Sequence, residues 1–267
     1  MRDGAVRRRA HPLLLTTLAL CAFAFLAMFV DAIAGGGGLI LLPALLILLP
    51  SVPVATVLGT NKITSIASTS SALARYHGSV PIRWRATLWS AGAAFLGALL
   101  GARVVTLLPQ HAIRPAILIL LVLVAVYTLA RPAFGAVHAP RLAPRAELLA
   151  AVGIGAALGF YDGFFGPGMG SFLIFAFIGV LGFDFLAASA AGKVVNLGSG
   201  LAAAAYFAAT GHVLWRYAIP MAAAGAIGSW AGAHTAVRRG SGFVRPLFLT
   251  VVAAVIVKFG WDVVRGR

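Results

Sequence analysis

Ten apolar segments follow one another along this chain, at approximately 12–34, 37–50, 54–75, 86–107, 112–130, 148–161, 168–182, 185–209, 214–236 and 244–263. A series of this kind leaves few ways to fold. Backbone N–H and C=O groups inside lipid find no water, so a crossing segment must satisfy them internally, and apolar runs of this length do so as α-helices. Composition agrees: 61% of the residues are hydrophobic and 10% are charged, against about 25% charged in a soluble domain. The expected fold is an all-α polytopic membrane protein whose first partner is the lipid bilayer.

The net charge of +15 raises nucleic acid as a partner, because basic proteins release counterions from phosphates. The 21 Lys and Arg residues, however, sit mostly in short loops and tails, the pattern of a membrane protein that gathers positive charge in the cytoplasm. Nucleic acid is therefore not expected. The single cysteine, Cys21, rules out an intrachain disulfide and a cysteine metal cluster. His77, His111, His138, His212 and His234 lack metal-ligand spacing, and no nucleophile stands near a base and an orienting acid. No enzyme activity, cofactor or metal is expected. The basic tail 1–11, with Arg7, Arg8 and Arg9, resembles the start of a signal peptide. The apolar run behind it is long enough to span, so it reads as an uncleaved first helix with a cytoplasmic tail. Trp84, Trp89, Trp215 and Tyr217 read as interface anchors beside Arg83, Arg85 and Arg216.

The segments fall into two sets of five that match in order. One offset places Asp31 on Asp162, Gly35 on Gly166, Gly37 on Gly168, Lys62 on Lys193, Gly97 on Gly228 and Gly101 on Gly232. Apolar sequence matches Ala and Leu freely by chance, but rarely an Asp, a Lys and several Gly residues at one offset. The expected organisation is a first transmembrane repeat over 12–131, a Pro- and Arg-bearing linker over 132–147, and a second repeat over 148–267.

Segments 37–50 and 168–182 are short, since 14 helical residues reach only about 21 Å. Each follows a glycine-rich break, DAIAGGGG (31–38) or DGFFGPGMG (162–170). If all ten segments cross, Lys and Arg divide 10 inside to 9 outside; if the two short ones are re-entrant, they divide 14 to 5, omitting Lys62 and Lys193 in both counts. The positive-inside rule then favours about eight spans plus two re-entrant or broken helices. Four spans per repeat make the repeats parallel, with both termini cytoplasmic.

Intramembrane ionisable residues are costly and point to function. Four stand out, Asp31, Asp162, Lys62 and Lys193, one Asp and one Lys per repeat. A lysine ammonium offers three donors to an oxyanion. Asn61, Ser65 and Ser68 share a helical face with Lys62, and Asn196 and Ser199 share one with Lys193. The breaks add bared N–H groups at Gly36, Gly37, Gly38, Gly168 and Gly170, where a helix start favours an anion. The candidate substrate-binding set is thus Lys62, Lys193, Asn61, Ser65, Asn196 and these glycines, with Asp31 and Asp162 as proton-coupling candidates. The structural alternatives are ion pairs, Lys62 with Asp162 or Lys193 with Asp31, aspartates capping the short helices, and hydroxyls bonding back to the backbone.

The patterns FVDAIAGGGGLILLPAL with ATVLGTNK, and GFYDGFFGPGMGSF with AGKVVN, resemble the TauE/SafE family of membrane permeases, over about residues 18 to 262. The resemblance implies an inner-membrane secondary transporter, often an exporter, of sulfite, an organosulfonate or a related small anion. It carries onto Asp31, Gly35–Gly38, Asn61, Lys62, Asp162, Gly166, Gly168, Gly170, Lys193 and Asn196. Met169 departs from it, standing where small polar residues are commoner in the family. An uncoupled anion channel and an accessory membrane subunit are the alternatives.

Overall fold

The computed structural model describes residues 2–109, 119, 123 and 142–239. The expected segments 112–130 and 244–263, and most of the linker, lie outside these. Among the described residues eight α-helices follow in order: α1 (Arg2–Ala34), α2 (Gly38–Leu48), α3 (Val54–Tyr76), α4 (Trp84–Leu107), α5 (Pro144–Phe164), α6 (Met169–Ala176), α7 (Phe185–Ala209) and α8 (Trp215–Arg239). A π-helical turn over Phe177–Leu181 continues α6. α1 begins well ahead of its apolar run, and α5 begins at Pro144, inside the stretch expected to be linker. Proline suits that first turn, where its missing N–H has no intrahelical partner to lose.

Among the described residues, three stretches are long and apolar enough to cross a membrane by themselves: Leu13–Ile33, Trp84–Leu107 and Pro144–Phe164. Their large apolar side chains face outward, as at Leu96, Leu100 and Leu149, while small residues face inward. α5 lays Gly155, Gly159 and Gly163 against Ser90, Ala94 and Ala98 of α4; a Cβ on Gly163 would stand 2.0 Å from the Ala98 carbonyl oxygen. On the other side of the molecule, Gly228 and Gly232 of α8 lie against Phe25 and Phe29 of α1, where an added Cβ would stand 2.2 Å from each carbonyl oxygen. Such small-residue seams let helix backbones approach closely where lipid supplies no hydrophobic drive.

These contacts also fix helix direction, and they run against the expectation that the two sets of helices lie parallel. α1 and α8 advance together from Phe25–Gly228 to Phe29–Gly232. α3 and α8 advance together from Thr60–Leu214 through Ser68–Ser229 to Arg75–His234. The hydroxyl of Tyr76, at the end of α3, donates to the Ala32 carbonyl at the end of α1 at 2.7 Å. α1 and α3 are therefore parallel, so α2 carries the chain back between them; a re-entrant hairpin leaving on its own side would have set them antiparallel. α4 runs parallel to α5 and, through Ala91–Gly198 and Thr106–Tyr206, to α7. α7 runs against α3, with Gly200 beside Ile66 and Phe207 beside Gly59. The helices α5, α7 and α8 thus run opposite to α1, α3 and α4, their counterparts at the common offset. The charge count, which took the two short helices as non-crossing, had set these counterparts parallel.

Tyr217 is a second correction. It is buried at the base of α8, where its ring lies 4.7 Å from the Arg216 guanidinium carbon, whereas Trp84, Trp89 and Trp215 are exposed as expected of anchors.

Candidate functional site

The site forms where the two chain breaks meet. Gly35 and Gly36 (φ +75° and +89°) turn the chain from α1 into α2, and Gly166 and Gly168 (φ +95° and +84°) turn it from α5 into α6. These are left-handed conformations that favour glycine. The breaks cross backbone to backbone: a Cβ on Gly35 would stand 2.5 Å from the Ser171 nitrogen, and one on Gly38 would stand 3.0 Å from the Pro167 Cα.

α3 and α7 flank this crossing and each sends a lysine into it. Lys62 of α3 donates to Asp162 Oδ1 of α5 at 2.6 Å, and Asp162 Oδ2 accepts from the Ser199 hydroxyl of α7 at 2.7 Å. Lys193 of α7 donates to the Asp31 carboxylate of α1 and, at 2.6 Å, to the Asp31 main-chain oxygen. Asp31 Oδ1 also accepts the Gly37 N–H at 3.0 Å, capping α2. At Asp31, pairing and capping are therefore both realised. Asp162 is paired, but among the described residues nothing bonds it to α6. All four side chains are almost wholly removed from solvent. Removing one partner from such a pair is what proves costly, because desolvation offsets much of the pair's own attraction.

A cavity of about 20 Å³ lies between the pairs, room for about one water. Asn61, Lys62 and Ser65 of α3 and Asn196 of α7 form its polar wall, Asp31 and Asp162 stand at its edges, and Gly38, Gly166, Gly168 and Gly170 contribute backbone. Met28 and Met169 complete it with apolar surface. Asn61 Oδ1 is buried without a hydrogen-bond partner, as are the hydroxyls of Ser90, Ser171 and Ser189, but of these four residues only Asn61 lines the cavity. Lys193, Gly36 and Gly37 are not on the wall: the lysine is turned to Asp31, and the Gly37 N–H is used by the same carboxylate. Several hydroxyls follow the plainer reading. Thr60, Thr64 and Ser68 each donate to the carbonyl one turn earlier, as small hydroxyls in helices do. Ser199 was legible as part of the polar face of α7 but not as the partner of Asp162, which only the crossing of α5 and α7 creates. Among the described residues no cluster of His, Cys, Asp and Glu could hold a metal ion.

Residues 20–259 match the family model described as "Sulfite exporter TauE/SafE". The chain is 35% identical over 236 residues to a "Probable membrane transporter protein ORF9" of a Sinorhizobium species, covering 88% of each chain. It is 34% identical over 242 residues to a "Probable membrane transporter protein" of Haemophilus influenzae, covering 89% of this chain and 92% of that one. It is 31% identical over 251 residues to the "Probable membrane transporter protein YfcA" of Escherichia coli K12, covering 94% and 91%. No solved structure gives a significant match. With its apolar helices, its crossed glycine breaks and this match along most of its length, the chain is a multi-pass membrane transporter belonging to the TauE/SafE sulfite exporter family.

Proposed function

We propose that this protein is a secondary transporter of the inner membrane that moves a small anion of the sulfite and organosulfonate class, with export as its direction. One observation carries the reading: a small cavity where the two broken helices meet is lined by Lys62, Asn61, Asn196 and Ser65. Those groups match a tetrahedral or pyramidal oxyanion, which needs a positive charge and several donors. The two units, 12–131 and 148–267, are read as inverted repeats, and the opposed helix directions support this. Discontinuous helices meeting at the interface of inverted repeats suit alternating access, in which one unit rocks against the other around a fixed site. The cavity has room for about one water in this conformation, so admitting an anion requires the units to move apart. Asp31 and Asp162 are the candidates for coupling to protons.

The test is counterflow of labelled sulfite, sulfoacetate, methanesulfonate, sulfate and acetate into vesicles containing only the purified protein. Saturable exchange of sulfur anions, lost in Lys62→Gln, is expected. Absence of flux for every anion defeats the proposal, and rapid non-saturating flux assigns the chain to the channel class instead.

A further inference from the structure

The two lysine–aspartate pairs occupy matching positions but are not equivalent. Lys193 is held twice, by the Asp31 carboxylate and by its main-chain oxygen, and that carboxylate is itself tied to the Gly37 N–H. A proton on Asp31 would leave Lys193 still bonded to the carbonyl. Among the described residues Lys62 has one hydrogen-bond partner, Asp162 Oδ1, and it alone of the two lysines faces the cavity. Beside it stands Asn61, buried and with an unsatisfied amide oxygen; rotation of that amide turns its donor end inward. Both half-helix starts reach the cavity, through Gly38 of α2 and through Gly168 and Gly170 of α6, but among the described residues only the start of α2 is also bonded to a carboxylate, that of Asp31.

We propose that the pairs divide the work: Lys62–Asp162 opens to accept a monovalent anion together with one proton, while Lys193–Asp31 stays closed as a fixed joint. This rests on the anion-transport reading above and adds its coupling. The charge balance requires it. The empty site holds two ammonium and two carboxylate groups and is neutral. A monoanion entering alone would leave one unmatched buried charge, which a site so largely removed from solvent resists. If a proton from the open side binds Asp162 Oδ1, the Lys62 N–H···O bond breaks. Lys62 is then the counter-ion of the cargo, and the neutral carboxyl keeps Ser199 as its partner. The loaded site is again neutral, and release on the far side returns anion and proton together. Each crossing of a monoanion therefore moves no net charge, so export runs only where the outward anion gradient exceeds the opposing proton gradient.

The groups facing Asp162 allow this. α3 supplies Lys62 and α7 supplies Ser199. Asp31 lies across the cavity, its charge matched by Lys193. The neighbouring Tyr161 hydroxyl is engaged with the Pro167 carbonyl. α6 has no titratable side chain, and Arg85 and Arg103 of α4, packed on α5, are exposed.

Methanesulfonate is the first probe, because it is a monoanion throughout the physiological range, so any accompanying proton must ride on the protein. Purified protein in weakly buffered solution is expected to take up one proton per methanesulfonate bound, and its affinity to fall about tenfold per unit rise in pH wherever binding takes up that proton. Asp162→Asn is expected to bind without proton uptake, and Lys62→Gln/Asp162→Asn not to bind. In vesicles, flux should follow a pH gradient and ignore a potassium–valinomycin potential. Binding of methanesulfonate or sulfite to the wild type without proton uptake overturns the inference, as does flux that carries current; both wild-type measurements stand even if a variant fails to fold. Failure of sulfite and sulfonates alike to bind or move defeats the anion-transport reading itself, and this inference with it.

Discussion

Lys193→Gln isolates the energetic role of the closed pair. The lysine is 3% exposed and its carboxylate partner 9%, so the substitution strands Asp31 as a buried charge holding only the Gly37 N–H. Breaking a buried pair in this way costs about 3–5 kcal/mol. For a chain of this size each kcal/mol moves the midpoint of thermal unfolding by about 2–4 °C, so the expected fall is about 6–20 °C. Adding Asp31→Asn removes the stranded charge while leaving an amide oxygen to accept from Gly37. The double variant should recover about 2 kcal/mol, a coupling within the range seen for contacting residues. Tryptophan fluorescence of detergent-solubilised protein reads the transition. A single variant within about 2 °C of wild type, or a double variant less stable than the single, would refute the reasoning.

Other outcomes follow from the seams and the helix directions. Gly163→Ala places a methyl 2.0 Å from the Ala98 carbonyl oxygen and should lower the unfolding midpoint sharply, whereas Gly153→Ala on the open face of the same helix meets nothing within 4 Å and should gain about 0.5–1 kcal/mol. Gly166→Ala should abolish transport, because φ there is +95° and the new methyl would stand 2.9 Å from the Lys62 ammonium; wild-type flux in that variant would remove Lys62 from the site. In a Cys21→Ala background, His77→Cys after α3 and Thr210→Cys after α7 should react with a membrane-impermeant maleimide from opposite sides; labelling from one side would restore the parallel arrangement.

Much of this was readable in the chain because lipid simplifies the code. Among the described residues, apolar runs became helices within a few residues of their expected ends, save for the early start of α1, and the matched offset singled out Asp31, Lys62, Asp162 and Lys193 before any contact was known. The direction of the short helices was not readable. An 11-residue helix such as α2 is too short to declare itself a crossing by hydropathy, and the count of loop charges gives different answers for each choice. The difference between the two lysines was equally hidden. Both lie in similar sequence, and it takes the Asp31 carbonyl and the Gly37 cap, set by how α1 bends into α2, to turn Lys193 from the cavity. Ser199 joined Asp162 for the same kind of reason, since helix crossing decides which face meets which.

The crossed pairing also has a consequence for biosynthesis. Lys62 precedes Asp162 by 100 residues, and Asp31 precedes Lys193 by 162. At roughly 5–20 residues per second a ribosome takes about 5–20 s over the first gap and about 8–32 s over the second. During that interval the early helices enter the membrane with their charges unmatched, and the face of α1 that will receive α8 lies open to lipid or to the insertion machinery. A chain stopped after the first five segments holds a bare lysine and a bare aspartate at bilayer depth. Quality-control proteases that recognise unpaired intramembrane charge would see it as unfinished until the second half arrives to clasp it.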